Sequence, residues 1–443
     1  MNRETLLDLV SQRLGSRKVI WAGLRGSDAE SLSDLPQFEG SFTIMDRYVR
    51  RPLEHSMAHE DSSGIRPDME RWDIDEHLDD PASKEFRHGM LRAMAAPSAL
   101  VPYRPSRFLS ALCFAREDRC LNLGLFGAHQ SAFDHKPWIE TSVRRLGVPT
   151  LDWTYLADEE QLEARDLLRS GPVVLRRSRT SGGEGIFEAR TAQDIARLWP
   201  EGDEAFVSVS PFVPGGIPVN VGATVWGDGV TVHHASLQLI GIPSCGNRPF
   251  GYCGNDFGAV TQLPTETLDA LESSTRRIGD WLHHHGYRGT FGVDYLVKDD
   301  VPLFTEINPR FQGSTAASSM LSVEAGLPCL ILEHVAAFLG LPATQRPPLR
   351  EQAAASGDLA QLVVHWTGDE PTRVDARALA TELSLLSPSC RAEALVPDHV
   401  EAHPGATIGR FLTRERLTEG GFDLVAPWDL AVSTWQDTAR STV

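Results

Sequence analysis

Lysine is nearly absent from this chain. Only Lys18, Lys84, Lys136 and Lys298 stand among 42 basic residues in a length of 443; the other basic residues are arginines, a skew that reads as codon bias in a GC-rich genome. Cysteine is sparse too. There are six, and none forms a C-x-x-C pair. That excludes a disulfide scaffold and a paired-cysteine zinc site, and leaves reduced thiols in a cytoplasmic protein as the expectation. No apolar run approaches the roughly 20 residues that cross a bilayer. The amphipathic stretch Met1 to Lys18, followed by Val19-Ile20-Trp21-Ala22, resembles neither a secretory leader nor an anchor. Positive charge is in deficit, with a formal net charge of -18. A bulk nucleic-acid partner is therefore disfavoured. The acidity serves solubility first, and a cationic substrate is the sharper reading. Also missing are the G-K-[ST] end of a Walker A loop, a full G-x-G-x-x-G, a G-x-S-x-G elbow and a Cys/His nucleophile signature.

What remains is an ordinary globular balance, 41% hydrophobic and 23% charged. At about 150 residues per domain the length predicts two to four domains. Up to about residue 135 the pattern is α/β. A strand over Lys18 to Ala22 and another beginning at Cys120 run into glycine-bearing loops, the feature of a ligand edge in an open sheet. A helix is expected over 137–146 and a buried strand over 172–176. A small-residue loop follows to Gly185, then a helix over 191–199. From Ala205 the pattern turns to β: a strand to Ser210, a break at Pro211 to Gly216, and a hairpin over 219–236 around Gly227-Asp228-Gly229. Gly241 to Gly258 reads as a long glycine-rich loop, and Pro342 to Ala355 as a linker. Helices are expected over 265–285 and 315–340. After 358 a small α+β unit is expected, opening with a strand over Leu359 to Trp366. The triplet His283-His284-His285 resembles a metal cluster, but its place at a helix end makes dipole complementation the better reading.

The most informative segment is the hairpin from Thr290 to Arg310. With its turn centred on Asp300, Asp294 pairs with Glu306 and Gly292 with Asn308, so strand periodicity puts all four on one face. Val293, Tyr295, Val297, Leu303, Thr305 and Ile307 then form the core face. Two carboxylates facing each other repel unless a cation lies between them. A hard divalent metal supplies that charge, and Asn308 a further oxygen. Gly292 is expected to leave room for a phosphate. The second constellation is the loop after Arg176, where backbone N–H groups of Gly182, Gly183 and Gly185 can cradle phosphate oxygens. The third is the break after Ser210, able to offer backbone groups to a base edge.

In this order the segments resemble the ATP-grasp superfamily of carboxylate–amine ligases over about 135–320. His135-Lys136 matches the lysine before the first helix. Pro172-Val-Val-Leu-Arg176 matches the P-V-V-x-K strand with arginine replacing lysine, and Ser210-Pro211-Phe212-Val213 matches the hinge with serine replacing its glutamate. Asp294, Glu306, Asn308 and Arg310 match the metal hairpin at every position. The N-terminal region, the 251–256 segment and the C-terminal unit look most like the peptide ligases of pheganomycin-type biosynthesis.

The resemblance implies an α/β protein with an ATP-grasp fold: a pre-ATP-grasp domain over 1–135, an ATP-grasp domain over 136–340 divided at 204/205, and a C-terminal α+β domain over 355–443. It implies ATP and Mg²⁺ as cofactors, with Asp294, Glu306 and Asn308 holding the metal. Lys136, Arg176, Gly182, Gly183, Gly185, Ser210, Pro211 and Val213 would bind ATP, and Arg310 would be the catalytic residue. The implied reaction joins an amino-acid-like carboxylate to a peptide amine through an acyl phosphate, releasing ADP and phosphate, as in antibiotic biosynthesis. The 241–258 segment is expected to cover the acyl site. Two alternatives are a bicarbonate-activating carboxylase-type enzyme and a non-catalytic nucleotide sensor. The implied partners are small molecules and a peptide, with no nucleic acid or membrane; a homodimer is compatible with the sequence.

Overall fold

The computed structural model describes residues 1–179, 182–200 and 206–441. Among the described residues four sheets form, three large ones and a two-stranded pairing of Ile65–Arg66 with Glu401–Ala402. The first is wholly parallel and five-stranded, in the order His55–Ala58, Phe38–Thr43, Lys18–Gly23, Ser98–Pro102, Cys120–Asn122. Its central strands are continuous apolar runs because helices cover both faces. Strand order reverses beside Lys18–Gly23, so a crevice opens at the carboxyl ends of that strand and of Ser98–Pro102.

The second sheet is antiparallel and four-stranded: Thr154–Leu156, Val207–Pro211, Val173–Arg176, Ile186–Ala189. The expected strand from Ala205 begins at Val207 here, and Ala205 itself lies outside the described residues. The third sheet has eight strands, running from the hairpin Val301–Asn308 and Gly289–Lys298 through Ile217–Val225 and Val230–Ile240 to Tyr252–Asp256, Ala360–His365, Thr407–Thr413 and Arg391–Glu393. The amphipathic helix Thr265–His284 lays Leu268, Leu271, Ile278 and Leu282 on this sheet against Val219, Val221, Phe291 and Val293. It approaches closely at Gly279, where a Cβ would stand 2.7 Å from Val230 Cγ1. His284 and His285 each turn Nδ1 onto a carbonyl one helical turn back, at 2.6 and 2.8 Å, so the histidine triplet closes a helix.

Two expectations need correction. Gly241 to Gly258 is not all loop, because Tyr252–Asp256 is an interior strand paired on both sides. Gly254 permits this: at φ 134° it lies 1.9 Å, measured from an ideal Cβ, from Gln361 O, a place no side chain can occupy. Pro342 to Ala355 is not a free linker. Pro348 starts the helix Leu349–Ala355, Leu349 and Ala353 join the main core, and Gln352 Nε2 donates to Val232 O at 2.9 Å. The C-terminal strands Ala360–His365 and Thr407–Thr413 extend the eight-stranded sheet.

The C-terminal stretch is also tied to the N-terminal sheet by buried ion pairs. Arg410 reaches Asp28 at 2.6 Å and Glu393 at 2.7 Å, and Arg66 reaches Glu60 at 2.6 Å while donating to Ala394 O and Thr407 O. Among the described residues no helix is long and apolar enough to cross a membrane.

Candidate active site

The hairpin turn is the two-residue Asp299-Asp300, with φ of 49° and 64°, a conformation aspartate tolerates. It pairs Lys298 with Val301, one step away from the register that puts Asp294 opposite Glu306. A bulge after Asp294 restores that register, so Asp294 faces Glu306 and Gly292 faces Asn308 as the spacing predicts. The bulge has a cost for the expected core face. Phe304 and Pro302, rather than Thr305 and Leu303, point into the core, and Phe304 pairs with Tyr295. The space over Gly292 is likewise not open for a phosphate. Gln312 fills it, and a Cβ on Gly292 would lie 1.6 Å from Gln312 Oε1.

Asp294 is buried. Its Oδ1 accepts from Asn220 Nδ2 at 2.5 Å and its Oδ2 from Asn308 Nδ2 at 3.0 Å. Asn220 also donates to Gln312 Oε1 at 3.1 Å and accepts from Ser314 Oγ at 2.9 Å. Glu306 Oε2 lies 2.7 Å from Lys136 Nζ. Burial, then the charge of Glu306, pushes Asp294 up to about 7. Burial also works against ionisation of Glu306, but Lys136 and then Arg176 outweigh it and hold the carboxyl down at about 2. The two acids therefore form one coupled unit, with Glu306 the ionised member.

Lys136 is placed by its helix. His135 caps Lys136–Arg145, Pro137 stands in the first turn, and the lysine starts the helix beside the hairpin. Arg176 ends its strand beneath the same hairpin. Its guanidinium stacks 4.0 Å over Trp153, donates to Thr305 O at 3.3 Å and pairs with Glu140, whose other oxygen accepts from Tyr155. Nε of Arg176 is buried with no hydrogen-bond partner among the described residues. Burial lowers its pKa to about 10, so it stays cationic at neutral pH.

Gly182, Gly183 and Gly185 all have positive φ, at 56°, 80° and 66°. Their loop is tucked against neighbours: a Cβ on Gly183 would lie 2.0 Å from Phe250 O. Glu184 anchors it to Arg71 at 3.1 Å and Arg248 at 2.8 Å. Thr180 and Ser181 of this loop lie outside the described residues.

One cavity of about 480 Å³ gathers much of this. Arg176, Gly182, Gly183, Asp294, Glu306, Asn308 and Arg310 border it, and Lys136 reaches its edge through Glu306. Gly185, Ser210, Pro211 and Val213 lie outside its lining. Ser210 is buried opposite Val174 in the four-stranded sheet, whereas Pro211 is exposed. The 241–258 segment lines the cavity through Phe250, Tyr252 and Asn255. Sequence reasoning missed Asn220, Gln312, Glu140 and Trp153. Asn220 left a signal, an amide between Val219 and Val221 in a strand whose other polar side chain is Thr224.

Residues 142–314 match the ATP-grasp domain family. A formate-dependent phosphoribosylglycinamide formyltransferase of Sulfurovum sp. is 26% identical over 261 residues, 56% of this chain and 61% of that protein. The chain thus spans less than two thirds of the curated relatives it matches. Among solved structures, N5-carboxyaminoimidazole ribonucleotide synthetase from Thermus thermophilus superposes with a TM-score of 0.56 at 16% identity, over 96% of this chain and 98% of that one. Biotin carboxylase from Campylobacter jejuni gives 0.55 at 14% identity, over 94% and 87%.

Proposed function

Because the chain carries an ATP-grasp domain within an ATP-grasp fold, we propose that it is an ATP-dependent ligase that joins an amino-acid-like carboxylate to the amino group of a peptide. ATP and Mg²⁺ are its cofactors. The observation that carries this reading is the convergence, at one end of one cavity, of two coupled carboxylates, an asparagine, a lysine and a buried arginine with an unpartnered Nε.

The residues fit both groups. Asp294 and Glu306 face each other with one acid raised in pKa by the other, a donor set that a hard divalent cation completes. Asn308 donates its amide nitrogen to Asp294 at 3.0 Å and Glu306 at 3.5 Å, and its amide oxygen would be the further ligand once that amide turns over. When bound, Mg²⁺ supplies charge neutralisation at the terminal phosphates. Lys136 and Arg176 neutralise the inner phosphates, with Arg176 offering its Nε. Backbone N–H groups of Gly182, Gly183 and Gly185 cradle phosphate oxygens. Ser210, Pro211 and Val213 lie outside the lining of this cavity and would meet the adenine only if the base extends past it along the four-stranded sheet.

The chain needs no nucleophile of its own. The substrate carboxylate attacks the γ-phosphate, giving an acyl phosphate and ADP. The amine then attacks the acyl carbon and phosphate leaves with one oxygen of the original acid. Arg310 borders the cavity just beyond the acids, and its backbone is pinned by N–H to Asn308 O at 2.8 Å. There it stabilises the oxyanion that grows during amine attack. A phosphate-release screen of acid–amine pairs tests the reading, with Glu306→Gln as control: the parent releases phosphate and forms a new amide, and the variant does neither. Turnover by Glu306→Gln at the parental rate in magnesium would remove the basis for it.

A further inference from the structure

The cavity does not stop at the acids. It runs on into the crevice at the carboxyl ends of the parallel sheet, where Ala22, Gly23 and Tyr103 border it. The wall there is apolar. Phe42, Met45, Phe86 and Phe108 are buried, and Trp72 and Ile74 close the side toward solvent. An open α/β crevice commonly receives a phosphate at a helix N-terminus. In this chain that helix is Arg107–Phe114, and its N-terminus is already taken. Asp75 accepts from the N–H groups of Arg107 and Phe108 at 2.9 and 2.8 Å, and Ser106 accepts from Leu109 N at 3.1 Å. The next helix, Gly127–Phe133, has its first N–H bonded to Ser110 Oγ at 2.8 Å. Two of the three arginines at this end face acids, Arg25 at 3.1 Å from Asp28 and Arg104 at 3.6 Å from Asp134, while Arg107 borders the bay from the first turn of its helix. A phosphate monoester entering here would meet Asp75 and Glu70 with no free helix terminus to receive it.

We propose that this bay seats an aromatic or branched aliphatic side chain of the substrate and rejects a phosphoribosyl group, which sets the substrate class apart from that in the names of the curated relatives. The inference rests on the ligase reading for its location next to the reacting carboxylate. It rests on the bay's own lining for its chemistry. The side chain enters either with the acid or with the amine, and blocked substrates separate the two sources. N-acetyl amino acids can react only as acids, and amino-acid amides only as amines.

The test uses the full chain with MgADP bound. Calorimetric binding is measured for N-acetyl-phenylalanine, -leucine and -alanine, for the three matching amides, and for glycinamide ribonucleotide. One series should bind at least about tenfold more tightly with phenylalanine or leucine than with alanine, since each buried methylene is worth about a factor of ten or more in such a pocket. Glycinamide ribonucleotide should bind weakest. Trp72→Ala, at the half-buried rim, should reduce the preference to a few-fold while leaving ADP binding unchanged. Asp75→Ala, which frees the helix N-terminus, should improve glycinamide ribonucleotide binding relative to the parent. Equal binding of alanine and phenylalanine derivatives in both series, or preference for glycinamide ribonucleotide, overturns the proposal. Selective binding of the apolar series with no phosphate release from any acid–amine pair in MgATP sustains this proposal and instead refutes the ligase reading.

Discussion

Asn220 supports the proposed metal face without being one of its proposed ligands. It is 2% exposed and serves three neighbours: Asp294, Gln312 and Ser314. In Asn220→Ala the Oδ1 of Asp294 loses a donor at 2.5 Å. A hydrogen bond to a neutral acceptor contributes about 0.5–1.5 kcal/mol and one to a charged acceptor about 1.5–3 kcal/mol, so the stability loss should grow as rising pH ionises Asp294. The functional loss should be larger than the stability loss suggests. Asn220 lowers the pKa of Asp294 by favouring its ionised form, so the substitution moves that carboxyl further above 7. Magnesium then has to displace a proton more tightly held. Outer partners of metal ligands typically account for about 10- to 100-fold in affinity or activity. The assay is phosphate release against Mg²⁺ concentration at pH 6.5 and 8.5. The half-saturating concentration should rise about 10- to 100-fold at pH 6.5, and by distinctly less at pH 8.5, where the proton leaves more readily. Parental magnesium dependence at both pH values would refute the reasoning.

Three further outcomes follow from other contacts. Arg176→Ala should weaken nucleotide binding by calorimetry and Arg176→Lys should retain part of it; if both bind ATP like the parent, Arg176 serves only to hold Glu140 and Trp153. Gly292→Ala should displace Gln312 from Asn220 at an expense of about 1–3 kcal/mol in denaturant unfolding, and the double change Gly292→Ala/Gln312→Ala should recover most of it. His334 is buried and neutral, accepting from Thr290 N at 3.0 Å through Nδ1 and donating to Leu123 O at 2.8 Å through Nε2, and burial holds it down at about 4 against an ordinary 6.5. The unfolded chain binds that proton first, so stability should fall by up to about 1.4 kcal/mol per pH unit as pH drops from 6.5 toward 4, and His334→Gln should flatten that slope.

How much of this was legible beforehand depends on whether a residue's partners are near it in sequence. The acidic hairpin was legible because centring its turn on Asp300 with a period of two puts Asp294 opposite Glu306, a register that the bulge after Asp294 restores although the turn itself is one residue tighter. Asp294 and Glu306 followed from counting. Even there the count was right for the site and wrong for the core, since the bulge after Asp294 moves Phe304 inward and Leu303 outward. Asn220 and Gln312 escaped because strand order, and not local pattern, brings Ile217–Val225 beside Gly289–Lys298. Gly254 misled for a physical reason. Glycine density reads as loop, yet here a glycine permits a strand to pass within touching distance of Gln361. The fate of Arg176 was half visible: the end of a buried strand could be read, but the stack on Trp153 and the pairing with Glu140 depend on how two elements pack. The apolar bay was not visible at all, because it is assembled from residues spread between Ala22 and Phe108.

The central claim is that a carboxylate is activated as an acyl phosphate in this cavity, and isotope transfer tests it most directly. The acid of a productive acid–amine pair is prepared with ¹⁸O in its carboxyl group and turned over with MgATP and the amine, and the released nucleotide and phosphate are analysed by mass spectrometry. The account predicts ADP, with one ¹⁸O per inorganic phosphate and one retained in the amide. Label appearing in AMP with pyrophosphate released, or unlabelled phosphate accompanying amide formation, would contradict it.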